Sequence, residues 1–145
     1  MSDMIEGEPE FSVELQRLTN SRHAWRDRLS RRIAILREAF AEDYPGQRLS
    51  VRSVRALIDF LELLDTPPGY PEVTATPAGD LYAEWRQGDG RHVSIELLDS
   101  GEARWLVLGP NPRHPERVDR LVGMTTSDAL RDTIGPLVHL TGIAA

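Results

Sequence analysis

The stretch PEVTATPAGDLYAEWRQGDGRHVSIELLDSGEARWLVL, residues 71–108, decides the fold. Apolar and polar residues alternate through it four times. Val73 and Ala75 alternate with Thr74 and Thr76. Leu81, Ala83 and Trp85 alternate with Tyr82, Glu84 and Arg86. Val93, Ile95 and Leu97 alternate with His92, Ser94 and Glu96, and Ala103, Trp105 and Val107 with Arg104, Leu106 and Leu108. A period of two is the repeat of a half-buried strand. Three short segments separate the runs: Pro77-Ala78-Gly79-Asp80, Gln87-Gly88-Asp89-Gly90 and Asp99-Ser100-Gly101. Each is rich in residues that turn a chain, with proline placed to open the first. Short turns between consecutive strands predict an antiparallel meander. One face would carry the apolar set centred on Trp85, Ile95 and Trp105. The other would be polar except near Leu98, Leu106 and Leu108.

An apolar face of that size requires a cover, and the flanking sequence offers amphipathic helices. From Phe11 an apolar stripe runs through Leu15, Leu18, Trp25, Leu29, Ile33, Leu36 and Phe40 in steps of mostly three and four. It predicts one helix, or two divided near Thr19-Asn20-Ser21, ending before Tyr44-Pro45-Gly46. Ser50 is placed to cap a second amphipathic segment over 51–64, whose apolar face is Val51, Val54, Leu57, Ile58, Leu61 and Leu64. Residues 66–71, Thr-Pro-Pro-Gly-Tyr-Pro, stop that helix and lead into extended chain. After the sheet comes the proline-rich loop 109–115, and then Val118–Met124, which reads as a short fifth strand or a connector. A last helix is expected over 125–140, broken or kinked at Gly135-Pro136. The expectation is therefore one α+β domain over 11–145, with N-terminal helices on a four-stranded antiparallel sheet and a C-terminal helix. A disordered acidic tail is expected over 1–10.

Composition narrows the function classes. The chain of 145 residues is 40% hydrophobic and 28% charged, long enough to bury a core without covalent staples. It contains no cysteine, which removes disulfides, thiolate metal sites and cysteine nucleophiles together. The acidic N-terminus has no apolar signal segment, and no run approaches the roughly 20 apolar residues of a membrane span. A cytoplasmic location without membrane contact follows as the expectation.

All 17 basic residues are arginine. GC-rich coding in a bacterium or its mobile elements explains this, and selection for planar, bidentate guanidinium contacts is the alternative. The charge is also polarised. Residues 11–60 hold ten arginines against six acids, a net of +4, while residues 61–145 hold seven against thirteen, a net of −6. Arg17, Arg22, Arg26, Arg28, Arg31, Arg32 and Arg37 crowd into the first helical region. A cationic helix can dock on an acidic protein or neutralise phosphates. The overall charge of −6, the lack of a helix-turn-helix pattern and the scarcity of aromatics argue against nucleic acid as the principal partner.

No catalytic or metal signature is present. His23, His92, His114 and His139 have no partner three or four residues away that would make a helical metal pair. Gly88-Asp89-Gly90 lies in a hairpin and lacks the following helix of a phosphate cradle. Glu84 and Glu96 are expected opposite one another on neighbouring strands, beside Arg86 and Arg104, as cross-strand ion pairs. The reading is a protein that is not an enzyme and needs no cofactor or metal. The candidate partner-binding residues are Arg22, Arg26, Arg28, Arg31 and Arg32 on the helix, and Tyr82, Arg86 and Arg104 on the sheet.

Pro71–Trp85, with its proline-led strand, Thr-Pro-x-Gly turn and Glu-Trp strand end, together with the strand Arg91–Leu98, resembles a recurring module of small bacterial proteins of unassigned function. The resemblance implies an antiparallel sheet segment. It also implies an association with accessory genes of mobile or toxin–antitoxin-like loci, and hence an antitoxin-like, immunity-like or anti-defence role. It implies no catalytic residue.

Overall fold

The structure, a computed structural model, describes residues 8–19, 24–63, 71–86 and 90–141. Three helices precede the sheet: α1 Glu8–Thr19, α2 Ala24–Asp43 and α3 Val51–Leu63. Five strands follow, β1 Glu72–Ala75, β2 Leu81–Arg86, β3 His92–Leu97, β4 Glu102–Pro110 and β5 Val118–Thr126, and then α4 Leu130–Thr141. The strands form one antiparallel sheet in the order β1-β2-β3-β4-β5, so every strand pairs with its neighbour in sequence. The fold is α+β, as expected.

The fifth strand is the main difference. It is nine residues long and pairs with β4 over its whole length, from Glu102 opposite Thr126 to Pro110 opposite Val118. Its sequence lacks clean alternation because Leu121, Val122 and Met124 make both faces apolar. The proline-rich segment before it closes a hairpin. The Asn111 N–H donates to the Arg117 carbonyl at 2.9 Å, while the Asn111 side-chain oxygen accepts from the N–H groups of Arg113 and His114 at 2.8 and 3.0 Å. Asparagine here supplies through its side chain the turn that prolines cannot donate to.

At the other end of the chain, the first helical region contains two helices. Residues 20–23, near which the division is expected, lie outside the described residues. So does the acidic tail as far as residue 7, and Glu8–Glu10 open α1. The C-terminal helix begins at Leu130, five residues later than expected. Thr126 ends β5, and its hydroxyl accepts from the Ala129 N–H at 3.2 Å in the turn between. Of the two alternatives at Gly135-Pro136, a break or a kink, the break does not occur: the helix continues through both residues.

The helices cover one face of the sheet. The core combines Leu29 and Ile33 of α2, Val54, Leu57 and Ile58 of α3, and Leu130 and Ile134 of α4 with Val73, Leu81, Ile95 and Leu97 of the sheet. Phe60 of α3 meets Trp85 of β2 edge to face, with ring centroids 6.3 Å apart. Each such Leu or Ile side chain, fully buried, stabilises the domain by about 1.5–3 kcal/mol. On the same face Trp105 lies over Gly123 of β5, where a Cβ would come within 2.5 Å of the indole ring. Only glycine permits that approach.

Helix α3 is tied to the sheet by its first turn. The Ser50 hydroxyl accepts from the Ser53 N–H at 3.0 Å, capping the helix as expected, and donates to Asp99. The fully buried Ser53 hydroxyl accepts from the Leu81 N–H at 2.7 Å and donates to the Leu97 carbonyl. Leu81 and Leu97 face each other across β2 and β3, so one hydroxyl joins a helix to both strands. Nearby, the buried Asp80 carboxylate accepts from the Asp99 N–H at 3.0 Å. Burial raises the Asp80 pKa above the usual carboxylate value, opposed by that hydrogen bond and by Arg104, and reinforced by the Asp99 charge.

Three substitutions test this packing. Ser53→Ala would leave a buried N–H and a buried carbonyl without their partner, and is expected to cost about 2–4 kcal/mol in urea unfolding. Gly79 and Gly46 both have positive φ, 88° and 83°. Gly46→Ala meets open space and should cost only the left-handed penalty of about 1–2 kcal/mol. Gly79→Ala would set a Cβ 2.6 Å from the Arg48 carbonyl oxygen and should cost clearly more. Equal losses for the two would contradict the packing described.

Candidate partner-binding surface

Because every helix packs on one side, the opposite sheet face is open among the described residues. The strand register arranges its side chains in rows. Thr74, Tyr82, Glu96, Arg104 and Met124 form one row across the five strands. Glu72, Glu84, Ser94, Leu106 and Val122 form the next. Arg86, His92, Leu108 and Arg120 form a third. The rows divide the face lengthwise. Its β1–β3 part is polar and charged, whereas its β4–β5 part exposes Val118, Val122 and Met124 beside the half-buried Leu106 and Leu108.

Charge on this face is layered. Glu84 lies 3.2 Å from Arg86 and 3.5 Å from His92, and Glu96 lies 3.9 Å from Arg104. The carboxylates are recessed, their side chains 13% and 22% exposed, while Arg86 and Arg104 stand out at 69% and 61%. A neighbouring molecule would therefore meet guanidinium groups first. These ion pairs are solvent-facing, worth at most about 1 kcal/mol each, so they shape the surface more than they hold the fold.

Several sequence expectations change in this light. Glu84 and Glu96 do not oppose one another: Glu84 faces Ser94, and Glu96 faces Tyr82. Their spacing along the chain could not reveal this, because turn length sets which residues meet. Tyr82 shares a row with Arg104, separated by Glu96, while Arg86 lies two rows away. Tyr82, Arg86 and Arg104 do share one open face.

The five helical arginines divide. Arg22 lies outside the described residues. Arg26 pairs with Glu62 of α3 at 3.1 Å and lies 5.0 Å from the Trp25 ring centroid. Arg32 donates through Nε to the Val73 carbonyl of β1 at 2.8 Å. Both therefore serve the fold. Arg28 and Arg31 are exposed, on a helix side that also exposes Asp27, Glu38 and Glu42. The basic cluster seen in the sequence becomes a mixed-charge surface flanked by two structural arginines, because a helix distributes consecutive residues around its axis.

The exposed apolar part of the open face is what sequence reasoning missed. Leu106 and Leu108 were visible as exceptions to the polar pattern, but Val118, Val122 and Met124 belong with them only once β5 pairs with β4. Among the described residues no group of three histidine, aspartate or glutamate side chains is arranged to hold a metal ion. Likewise, no helix is long and apolar enough to cross a membrane. No protein-family model matches the chain, and neither a curated protein nor a solved structure matches it.

His92 gives this face a pH dependence. Desolvation lowers its pKa below the usual 6.5, outweighing the nearby Glu84 carboxylate, and Arg86 acts in the same direction as desolvation. The folded state thus binds the proton less well than the unfolded chain. The contribution of His92 is complete above about pH 6.5 and is lost as pH falls through the lowered folded value. His92→Gln should flatten the fall in stability just below pH 6.5 in urea titrations. An unchanged slope would show that another group controls it.

Proposed function

We propose that this protein is a non-catalytic binding protein that regulates or neutralises another protein, using the open face of its sheet as the contact surface. The observation that carries this reading is a five-stranded face, open among the described residues, on which an apolar strip adjoins the protruding Arg86 and Arg104. Apolar patches with polar surroundings are the usual make-up of protein contact surfaces. Arginine and tyrosine are also the residues most often decisive within them. Arg86 and Arg104, raised above recessed carboxylates, favour a partner with an acidic surface. The strand module of the sheet adds the expectation that the partner is a toxin, effector or defence protein of a bacterial or mobile locus.

Nucleic-acid binding through the arginine helix has less support, since Arg26 and Arg32 are engaged within the fold and acids share the face of Arg28 and Arg31. One experiment compares the two readings. The intact protein is used as bait, and binding of the recovered partner is measured for wild type, for Arg86→Glu with Arg104→Glu, and for Arg28→Ala with Arg31→Ala. The sheet variant should bind at least about tenfold more weakly with an unchanged circular dichroism spectrum, and the helix variant should bind normally. A partner held equally by the sheet variant, or recovery of nucleic acid whose affinity falls steeply with salt, would overturn the proposal.

A further inference from the structure

The two edges of the sheet are finished differently. At β1, the alternation of ladder hydrogen bonds leaves the Val73 carbonyl pointing away from β2, and Arg32 closes it at 2.8 Å. That edge is only four residues long. The β5 edge is nine residues long, and no described strand lies beyond it. Its hydrogen-bonding parity follows from its two ends. The Asn111 N–H bonds to the Arg117 carbonyl, and the Ser127 N–H bonds to the Gly101 carbonyl, both at 2.9 Å. Odd-numbered residues of β5 therefore bond to β4. The N–H and C=O groups of Val118, Arg120, Val122, Met124 and Thr126 point out along the free edge.

Long, apolar, unprotected edges are what soluble proteins normally avoid. This one also exposes large side chains: Val118 is 55% exposed, Leu121 46%, Val122 59% and Met124 50%. We propose that β5 pairs antiparallel with β5 of a second copy of the chain, joining two five-stranded sheets into one. The inference does not depend on the partner-binding reading above.

The second copy is favoured because one register pairs the strand with itself over its whole length. Parity requires a two-fold axis through a residue, since an axis between residues would oppose an outward-pointing group to an inward-pointing one. An axis at Asp119 or Arg120 would place like charges directly opposite. An axis at Val122, the middle of the strand, pairs all nine residues and avoids both clashes. Leu121 of each copy then lies opposite Gly123 of the other, beside the Trp105 indole that covers that glycine. Arg120 lies opposite Met124, its stem covering the thioether while its charge remains in water. The axis is perpendicular to the sheet, so both open faces point the same way and their apolar strips merge at the seam.

A single edge-to-edge seam is small beside the roughly 800 Å² per partner of a standard interface, so association should be reversible, with a dissociation constant roughly in the micromolar range. Sedimentation velocity of the full chain, from low micromolar to near-millimolar concentration, should show a monomer–dimer equilibrium. Val122→Pro removes an N–H that points only to the free edge, so the β4 ladder keeps its hydrogen bonds. Val122→Lys sets two like charges at the axis and serves as the second variant should proline disturb the strand. Each variant that retains the wild-type circular dichroism spectrum should dimerise at least about tenfold more weakly. A wild-type chain that stays monomeric throughout, whatever other molecule it binds, would overturn the proposal. So would a dimer unaffected by the folded variants.

Discussion

The Ser53 hydroxyl is the contact on which the arrangement of the domain depends. It sits in the first turn of α3 and engages the N–H of one strand and the carbonyl of its neighbour at the same ladder position. A helix lying on a sheet by apolar contact alone can slide by a residue and repack. A buried hydroxyl that must satisfy two backbone groups makes such sliding costly. The Ser50 N–H adds a bond to the Gly79 carbonyl at 2.8 Å, so the first turn of α3 is held to the β1–β2 turn as well. With α3 placed, its apolar face meets Trp85 and Ile95. The remaining helices pack beside it on the same side.

Placing every described helix on one side leaves the other side of the five-stranded sheet without a cover among the described residues. The domain separates two tasks that in sequence look alike. Alternation within β2 and β3 sends apolar residues to the core and charged residues outward. The outer face remains mostly polar until β4, where Leu106 and Leu108 break the pattern, and β5 completes an apolar strip. The asymmetry of the edges has the same origin. α2 reaches β1 and closes the Val73 carbonyl with Arg32, whereas α4 covers the β4 side of the core and, among the described residues, no strand pairs with the outer line of β5.

The meander is legible in the sequence because strand alternation and turn chemistry are local properties. Val93-Ser94-Ile95-Glu96-Leu97 has one face whatever it pairs with, and Pro77 with Gly79 makes a turn wherever that turn lies. The helices were legible for the same reason, through steps of three and four. β5 was ambiguous because an edge strand is covered on neither side in the way an inner strand is. Its sequence, Leu121-Val122-Gly123-Met124, therefore carries no alternation to read. Gly123 looks like a breaker until the indole of Trp105 is seen above it. The proline loop likewise hid a hairpin closed by Asn111.

The α+β class, the paired strands of residues 71–108 and the side of each strand that enters the core are all written into the amino-acid order. Those follow from the periodicity of side chains along an extended or helical backbone. Which charges meet, which arginines are engaged in the fold and where apolar surface stays open among the described residues depend on how the elements pack. Arg26 and Arg31 differ little in sequence context. One pairs with Glu62 of α3, 36 positions on, and the other points to solvent on the far side of the same helix. Register, helix rotation and the identity of a strand's neighbours are non-local, and this surface is assembled from them.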